Sequence, residues 1–354
     1  MGQTARKAAV ATLVVVGVVV LVLALWKLKL VIALLFAGFI IAAAMRPGIE
    51  AMRRHGIPRG VGLTLHYVVF AGLIAVGLWL AVPRALDQVT NAVDNLPQTR
   101  HDLRVQANHS SGIKAEILRS LQRRLKEVPS GGSVFATAKT VGTTAFEVFV
   151  GLFFMFAVAG YWIFERERAM NVVAELLPRS KWKTVRDTWL LIDLKLGAYM
   201  RGMALIVLIV AMTLSLLFWA IGLPYWLLIG CFAGLVEMVP VIGPLTAAVL
   251  AVGVGLTESL HLAVLALAVV LGVRLTQDYL VNPRVMGSAV GMSPLVVLFS
   301  ASAVVFLFGG FAVLLSVPLA AVVVTLVDVA VRNKNPAEEE TPTVLFATAK
   351  EADR

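Results

Sequence analysis

Residues 202–236 read GMALIVLIVAMTLSLLFWAIGLPYWLLIGCFAGLV, a run of 35 positions without Asp, Glu, Lys or Arg, and lead directly into Glu237-Met-Val-Pro240-Val-Ile-Gly243-Pro244. About 20 apolar residues cross the hydrocarbon core of a bilayer as one helix, so this run is stable only in lipid and exceeds a single crossing. The two prolines that follow lack a backbone donor and interrupt any helix they enter. A carboxylate beside interrupted backbone is the combination from which midplane ion or polar-solute sites are built.

The rest of the chain agrees. Uncharged runs of 19, 24 and 43 residues occupy 8–26, 60–83 and 285–327. Of the 354 residues, 59% are hydrophobic and 15% charged, with a mean hydropathy of +0.89. A soluble domain is nearer half apolar and a quarter charged. The fold class is therefore all-α: a polytopic integral membrane helical bundle with 6–8 spans. Spans are expected at about 8–26, 30–45, 61–82, 141–164, 203–222 and 259–276. Segments 225–257 and 293–331 are each too long for one crossing and carry Pro or Gly interruptions, so they are expected to be broken helices or re-entrant hairpins in the C-terminal half.

The formal charge of +10 lies mostly in loops between apolar runs, and no basic domain interleaved with aromatics is present to bind nucleic acid. Arg46, Arg53, Arg54 and Arg59 crowd one short loop, and eight basic residues crowd the connector 165–201. Both loops are expected on the cytoplasmic side, with both termini, in the inner membrane. The organisation read from the sequence is 1–83 with three spans, an extracytoplasmic helical insert at 84–140, a fourth span and amphipathic cytoplasmic connector at 141–201, a transport core at 202–331, and a disordered tail at 332–354.

Enzyme chemistry has no foothold. The chain holds no G-x-x-x-x-G-K-[ST], H-E-x-x-H or G-x-S-x-G signature, its five histidines are scattered, and its one cysteine, Cys231, lies in an apolar run. No cofactor or metal is implied. The candidates are ionisable groups inside apolar sequence, which are costly in lipid and mark pathways for ions or solutes. Glu237 is the clearest, with Pro240, Gly243 and Pro244 shaping the break beside it. Arg274, Gln277, Asp278, Asn282 and Arg284 form a second polar group, in which Arg274 and Asp278 stand four apart and face each other as an ion pair on a helix. Asp278 and Asn282 are candidates to line or gate a path. Glu147 and Asp328 read as interfacial, and Gly230-x-x-x-Gly234 and Gly287-x-x-x-Gly291 permit close helix approach.

Three blocks resemble a known family. Glu237-Met-Val-Pro240-Val-Ile-Gly243-Pro244 resembles the E/N-x-I-P-x-I-G-P signature of the AI-2E family of bacterial membrane transporters. Asn282-Pro-Arg-Val-Met-Gly287 through Gly291-Met-Ser-Pro294-Leu is similar to that family's second block, with Ser293 where His is common, and Leu314-Leu-Ser-Val-Pro318-Leu-Ala-Ala to its third. The resemblance implies a secondary transporter that exports a small polar solute such as autoinducer-2, or a sodium or lithium/proton antiporter, and it implies homo-oligomers. The partners are then the lipid bilayer and a small polar solute, monovalent cation or proton. The contrasting expectation is a non-transporting membrane scaffold that uses the insert at 84–140.

Overall fold

The computed structural model describes residues 2–73, 75–77, 79, 83, 134–239, 242–282 and 294–339. The insert as far as residue 133, Pro240, the stretch 283–293 with Gly287 and Gly291, and the tail beyond 339 lie outside the described residues. Every regular element among the described residues is helical. They are α1 (Gly2–Lys27), α2 (Lys29–Arg54), α3 (Arg59–Gly77), α4 (Val134–Glu175), α5 (Trp182–Ala220), α6 (Trp226–Val236), α7 (Ile242–Glu258), α8 (Leu260–Thr276), α9 (Pro294–Phe308) and α10 (Ser316–Ala330). Among the described residues, seven helical stretches are long and apolar enough to cross a membrane. Large apolar side chains such as Leu21, Phe149, Leu208 and Phe306 stand exposed around the bundle. Lipid is the medium that makes such a surface stable.

The connector 165–201 does not form a separate interfacial helix. α4 continues to Glu175, a single 3-10 turn at Arg179–Lys181 reverses the chain, and α5 starts at Trp182. The physical reason is that the connector's apolar face is used by the bundle: Leu191 and Leu196 are buried, and Trp189 stacks on Trp162 of α4 with centroids 5.8 Å apart. Arg59 pairs with Glu167 at 2.9 Å, which brings the α2–α3 loop and the α4–α5 turn to one basic end of the bundle. The tail departs from the expectation of disorder over its first eight residues, 332–339. Asp328 accepts from Arg332 and Lys334, Pro336 is buried, and Lys195 holds Glu339 at 2.8 Å.

Both interrupted segments are broken as expected. α6 and α7 contain 11 and 17 residues, and at 1.5 Å per residue neither alone covers the roughly 30 Å of hydrocarbon. Tyr225, at the start of α6, and Val254, near the end of α7, pack against one buried cluster that holds Ile229 and Ala251. The two ends of 225–258 therefore lie together, and the segment is a helical hairpin with Glu237 at its tip. Left-handed backbone at Gly222 and Tyr225 makes the turn into it, and Ser259 Oγ caps α8 by accepting the Leu262 N–H at 3.1 Å. The second segment breaks at Gly309, whose φ of 94° suits glycine, before the 3-10 stretch Gly310–Leu315 and α10.

The hairpin packs tightly on α5. A Cβ added to Gly234 would lie 2.6 Å from Ala211 Cβ and 2.7 Å from the Val207 carbonyl oxygen, whereas one on Gly253 of α7 would meet open space. The glycine spacing at 230 and 234 thus serves contact within the chain. Gly234→Val is expected to destabilise the purified protein by about 1–3 kcal/mol through overpacking. Gly253→Ala should be neutral or stabilising by up to about 1 kcal/mol. Thermal unfolding of both variants in detergent checks the contrast.

Candidate functional site

The tip of the hairpin is set by its backbone. A proline at position 240 cannot donate to the Val236 carbonyl, so the ladder of α6 ends there and the Val239 N–H closes back on Val236 at 2.9 Å. Gly243 packs directly on that carbonyl, and any side chain at 243 would collide with it. Glycine is the residue that permits α7 to start this close to the end of α6. Pro244 occupies the first turn of α7, where a missing N–H costs little. Glu237 caps α6 and projects a carboxylate whose side chain is only 10% exposed.

α8 delivers the partners. Arg274 Nη1 donates to Glu237 Oε1 at 2.9 Å, and Gln277 Nε2 donates to the same oxygen at 2.7 Å. Arg274 Nε pairs with Asp278 Oδ2 at 2.9 Å, and Asn282 Nδ2 donates to Asp278 Oδ1 at 3.2 Å. The helix changes to a π-helical turn over Gln277–Val281, directly after these donors begin. Such turns carry an extra residue, interrupt the regular ladder and recur at functional sites. Gln277 is buried, and Asn282 Oδ1 is buried with no hydrogen-bond partner among the described residues.

The two polar groups read separately in the sequence therefore form one site. Glu237, Gly243, Asp278 and Asn282 come together, and Pro244 stands at its edge. The Arg274–Asp278 pair forms as the spacing predicts, but Arg274 also bridges to Glu237. That bridge, and the role of Gln277, are not legible in local spacing because 37 and 40 residues separate the partners. Met238 packs with Tyr199 and Met203 of α5, in the same cluster as Val297 of α9 and Val317 of α10, so both interrupted segments meet on one stretch of α5. Asp328 is a structural group that holds the chain after α10. Glu147 stands exposed on α4, away from this site.

The charge arrangement is simple. Among the described residues, two carboxylates share one guanidinium, with neutral amides beside them, and Arg284 lies outside the described residues. A polytopic helical bundle that carries ionisable groups on an interrupted hairpin has the architecture of a membrane transporter. The sequence model of the AI-2E family transporters matches residues 14–332, and the chain belongs to that family. It is similar to YrrI of Bacillus subtilis (strain 168), 25% identical over 83% of this chain and 85% of the relative. It is also similar to YueF of the same organism, 27% identical over 75% of each, and to MT0215 of Mycobacterium tuberculosis (strain CDC 1551 / Oshkosh), 25% identical over 87% and 85%. Each of these relatives is named as a candidate transport protein.

Removing the cation from a part-buried pair costs more than the pair is worth, because the covered carboxylate stays behind without it. Arg274→Met is expected to lower stability by about 1–3 kcal/mol. Adding Glu237→Gln should recover part of that loss, giving a coupling energy of about 0.5–3 kcal/mol. A double-mutant cycle on unfolding midpoints measures it.

Proposed function

We propose that this chain is a secondary transporter whose site at the hairpin tip takes one monovalent cation or proton. By alternating access it moves a small polar solute or cation across the cytoplasmic membrane of a bacterium, in the outward direction. Glu237 binds the cation or proton, Pro240, Gly243 and Pro244 keep the backbone interrupted, and Asp278 and Asn282 line the path. The observation that carries this reading is the sharing of Arg274 by Glu237 and Asp278, so that among the described residues two carboxylates of the cluster face one cation. A surplus charge among apolar helices favours a site that is filled and emptied by a single positive charge.

Sodium or lithium exchange for protons fits that charge directly. Export of a neutral polyhydroxylated solute such as autoinducer-2 is the second reading, supported by the buried Oδ1 of Asn282, an acceptor with no partner among the described residues. The crowding of basic residues at one end of the bundle supports a cytoplasmic placement for that end and for both termini.

Flux in proteoliposomes under imposed gradients of sodium, lithium or protons, with autoinducer-2 as a further arm, tests the reading. Glu237→Gln is expected to lower flux by about 100-fold or more, in line with loss of a first-contact group, and to flatten its pH dependence. Undiminished flux with an unchanged pH profile in that variant would overturn the role of Glu237.

A further inference from the structure

The chain that follows α10 turns back onto the bundle. Asp328, in the last turn of α10, accepts from Arg332 Nη1 at 2.8 Å and from Lys334 Nζ at 2.7 Å. Asn335 makes the next turn: its Oδ1 accepts from the Ala337 N–H at 3.2 Å, its Nδ2 donates to Glu338 Oε1 at 2.7 Å, and Pro336 between them is buried. Glu339 then reaches α5, where Lys195 Nζ donates to its Oε1 at 2.8 Å and to Thr325 Oγ1 of α10 at 3.2 Å.

Two covered charges therefore take their counter-ions from segment 332–339. The Lys195 side chain is 15% exposed and that of Asp328 7%, and they are opposite in sign. Thr325 relates them, because it touches Lys195 and stands three residues before Asp328 on the same face of α10. Neighbours at that spacing lie about 5–6 Å apart, within the swing of a lysine side chain. Lys195 and Asp328 thus have a second pairing open to them, with each other and without the segment.

The two pairings respond differently to salt. Arg332 and Lys334 are 64% and 52% exposed, so their bonds to Asp328 are screened as ionic strength rises. A direct pair between the covered Lys195 and Asp328 is screened much less. The docked segment also leaves Glu339 Oε2 buried with no partner among the described residues, which weakens its hold.

The segment grips a part of the bundle that bears on the hairpin. Lys195 precedes Tyr199 by four residues on one face of α5, and Tyr199 packs in one cluster with Met238 of the hairpin tip and Val317 of α10. Docking thus ties α10 to the face of α5 that meets the hairpin.

We propose that residues 332–339 are a salt-sensitive latch that restrains α10 against α5. At low ionic strength Glu339 holds Lys195 while Arg332 and Lys334 hold Asp328. At high ionic strength the segment leaves, Lys195 pairs with Asp328, and α10 is freed from the restraint. Control of transport by the latch rests on the transport reading of the hairpin site, whereas the exchange of partners does not.

Carbodiimide cross-linking of the full chain in lipid nanodiscs reads the exchange, because the reagent joins a lysine amine to a carboxylate in contact with it and peptide mass spectrometry identifies the pair. Potassium chloride is raised from about 0.01 M to about 1 M, across which the screening length falls from about 30 Å to about 3 Å. Lys195–Glu339 and Lys334–Asp328 products are expected at low salt. The ratio of Lys195–Asp328 to Lys195–Glu339 product should rise about fivefold or more at high salt, the scale set by losing two exposed pairs. Glu339→Gln should give the Lys195–Asp328 product already at low salt. A ratio that ignores salt, or no Lys195–Asp328 product in either protein, would overturn the latch. In proteoliposomes with equal salt on both sides, Glu339→Gln is expected to raise low-salt flux to the parent's high-salt level. Exchange of cross-links with identical flux in parent and Glu339→Gln at every salt concentration would overturn the latch as a control of transport. Exchange in a protein that moves no ion or solute supports the latch and counts against the Glu237 reading instead.

Discussion

Backbone amides and carbonyls buried in lipid have no water to bond, so a chain can leave helical structure at that depth only where protein covers the gap. The interruption after Glu237 meets this condition in two ways. Gly243 brings the start of α7 onto the carbonyl of Val236, and the last N–H groups of α6 close onto carbonyls within the same turn. The polar side chains of α8 then cover the carboxylate. Everything assigned to function depends on this one covered gap, because it lets a carboxylate and a broken ladder coexist with apolar surroundings.

The charges follow from the same constraint. An isolated carboxylate in lipid is expensive, and Arg274 lowers that expense while being shared with Asp278. A fully neutralised cluster would be a staple between α6 and α8. Among the described residues this cluster sets two carboxylates against one guanidinium, which is the basis of the proposed cation site. The cluster at Asp193 differs in kind: Arg46 and Arg166 both pair with the Asp193 carboxylate and Arg46 also with Glu50, which ties α2, α4 and α5 together.

Much of this was legible in the residues. Run lengths of uncharged sequence set the all-α membrane class, and Pro240, Gly243, Pro244 and the glycine pair at 309–310 marked both interruptions. Glu237, Asp278 and Asn282 stood out as polar residues in apolar surroundings. The bridge from Arg274 to Glu237 did not, because helix spacing speaks for neighbours three or four apart and is silent across 37 residues. Asp193 also escaped notice, since it sits in a connector whose mixture of apolar residues with Lys and Arg reads as an amphipathic helix at the inner interface. Only burial of Leu191, Leu196 and Arg166 reveals that this face belongs to the bundle. The ordered start of the tail was hidden likewise, because its acidic composition gives no sign that Glu339 meets Lys195.

The most direct test of the covered gap as a binding place is amide hydrogen exchange of the reconstituted protein, comparing choline, sodium and lithium media at equal ionic strength. The account predicts that the backbone around 236–244 and 276–282 exchanges faster than the flanking helices in choline, and that a bound cation slows both segments together. Exchange in those two segments that is already as slow as in the flanking helices, and indifferent to the cation, would contradict it.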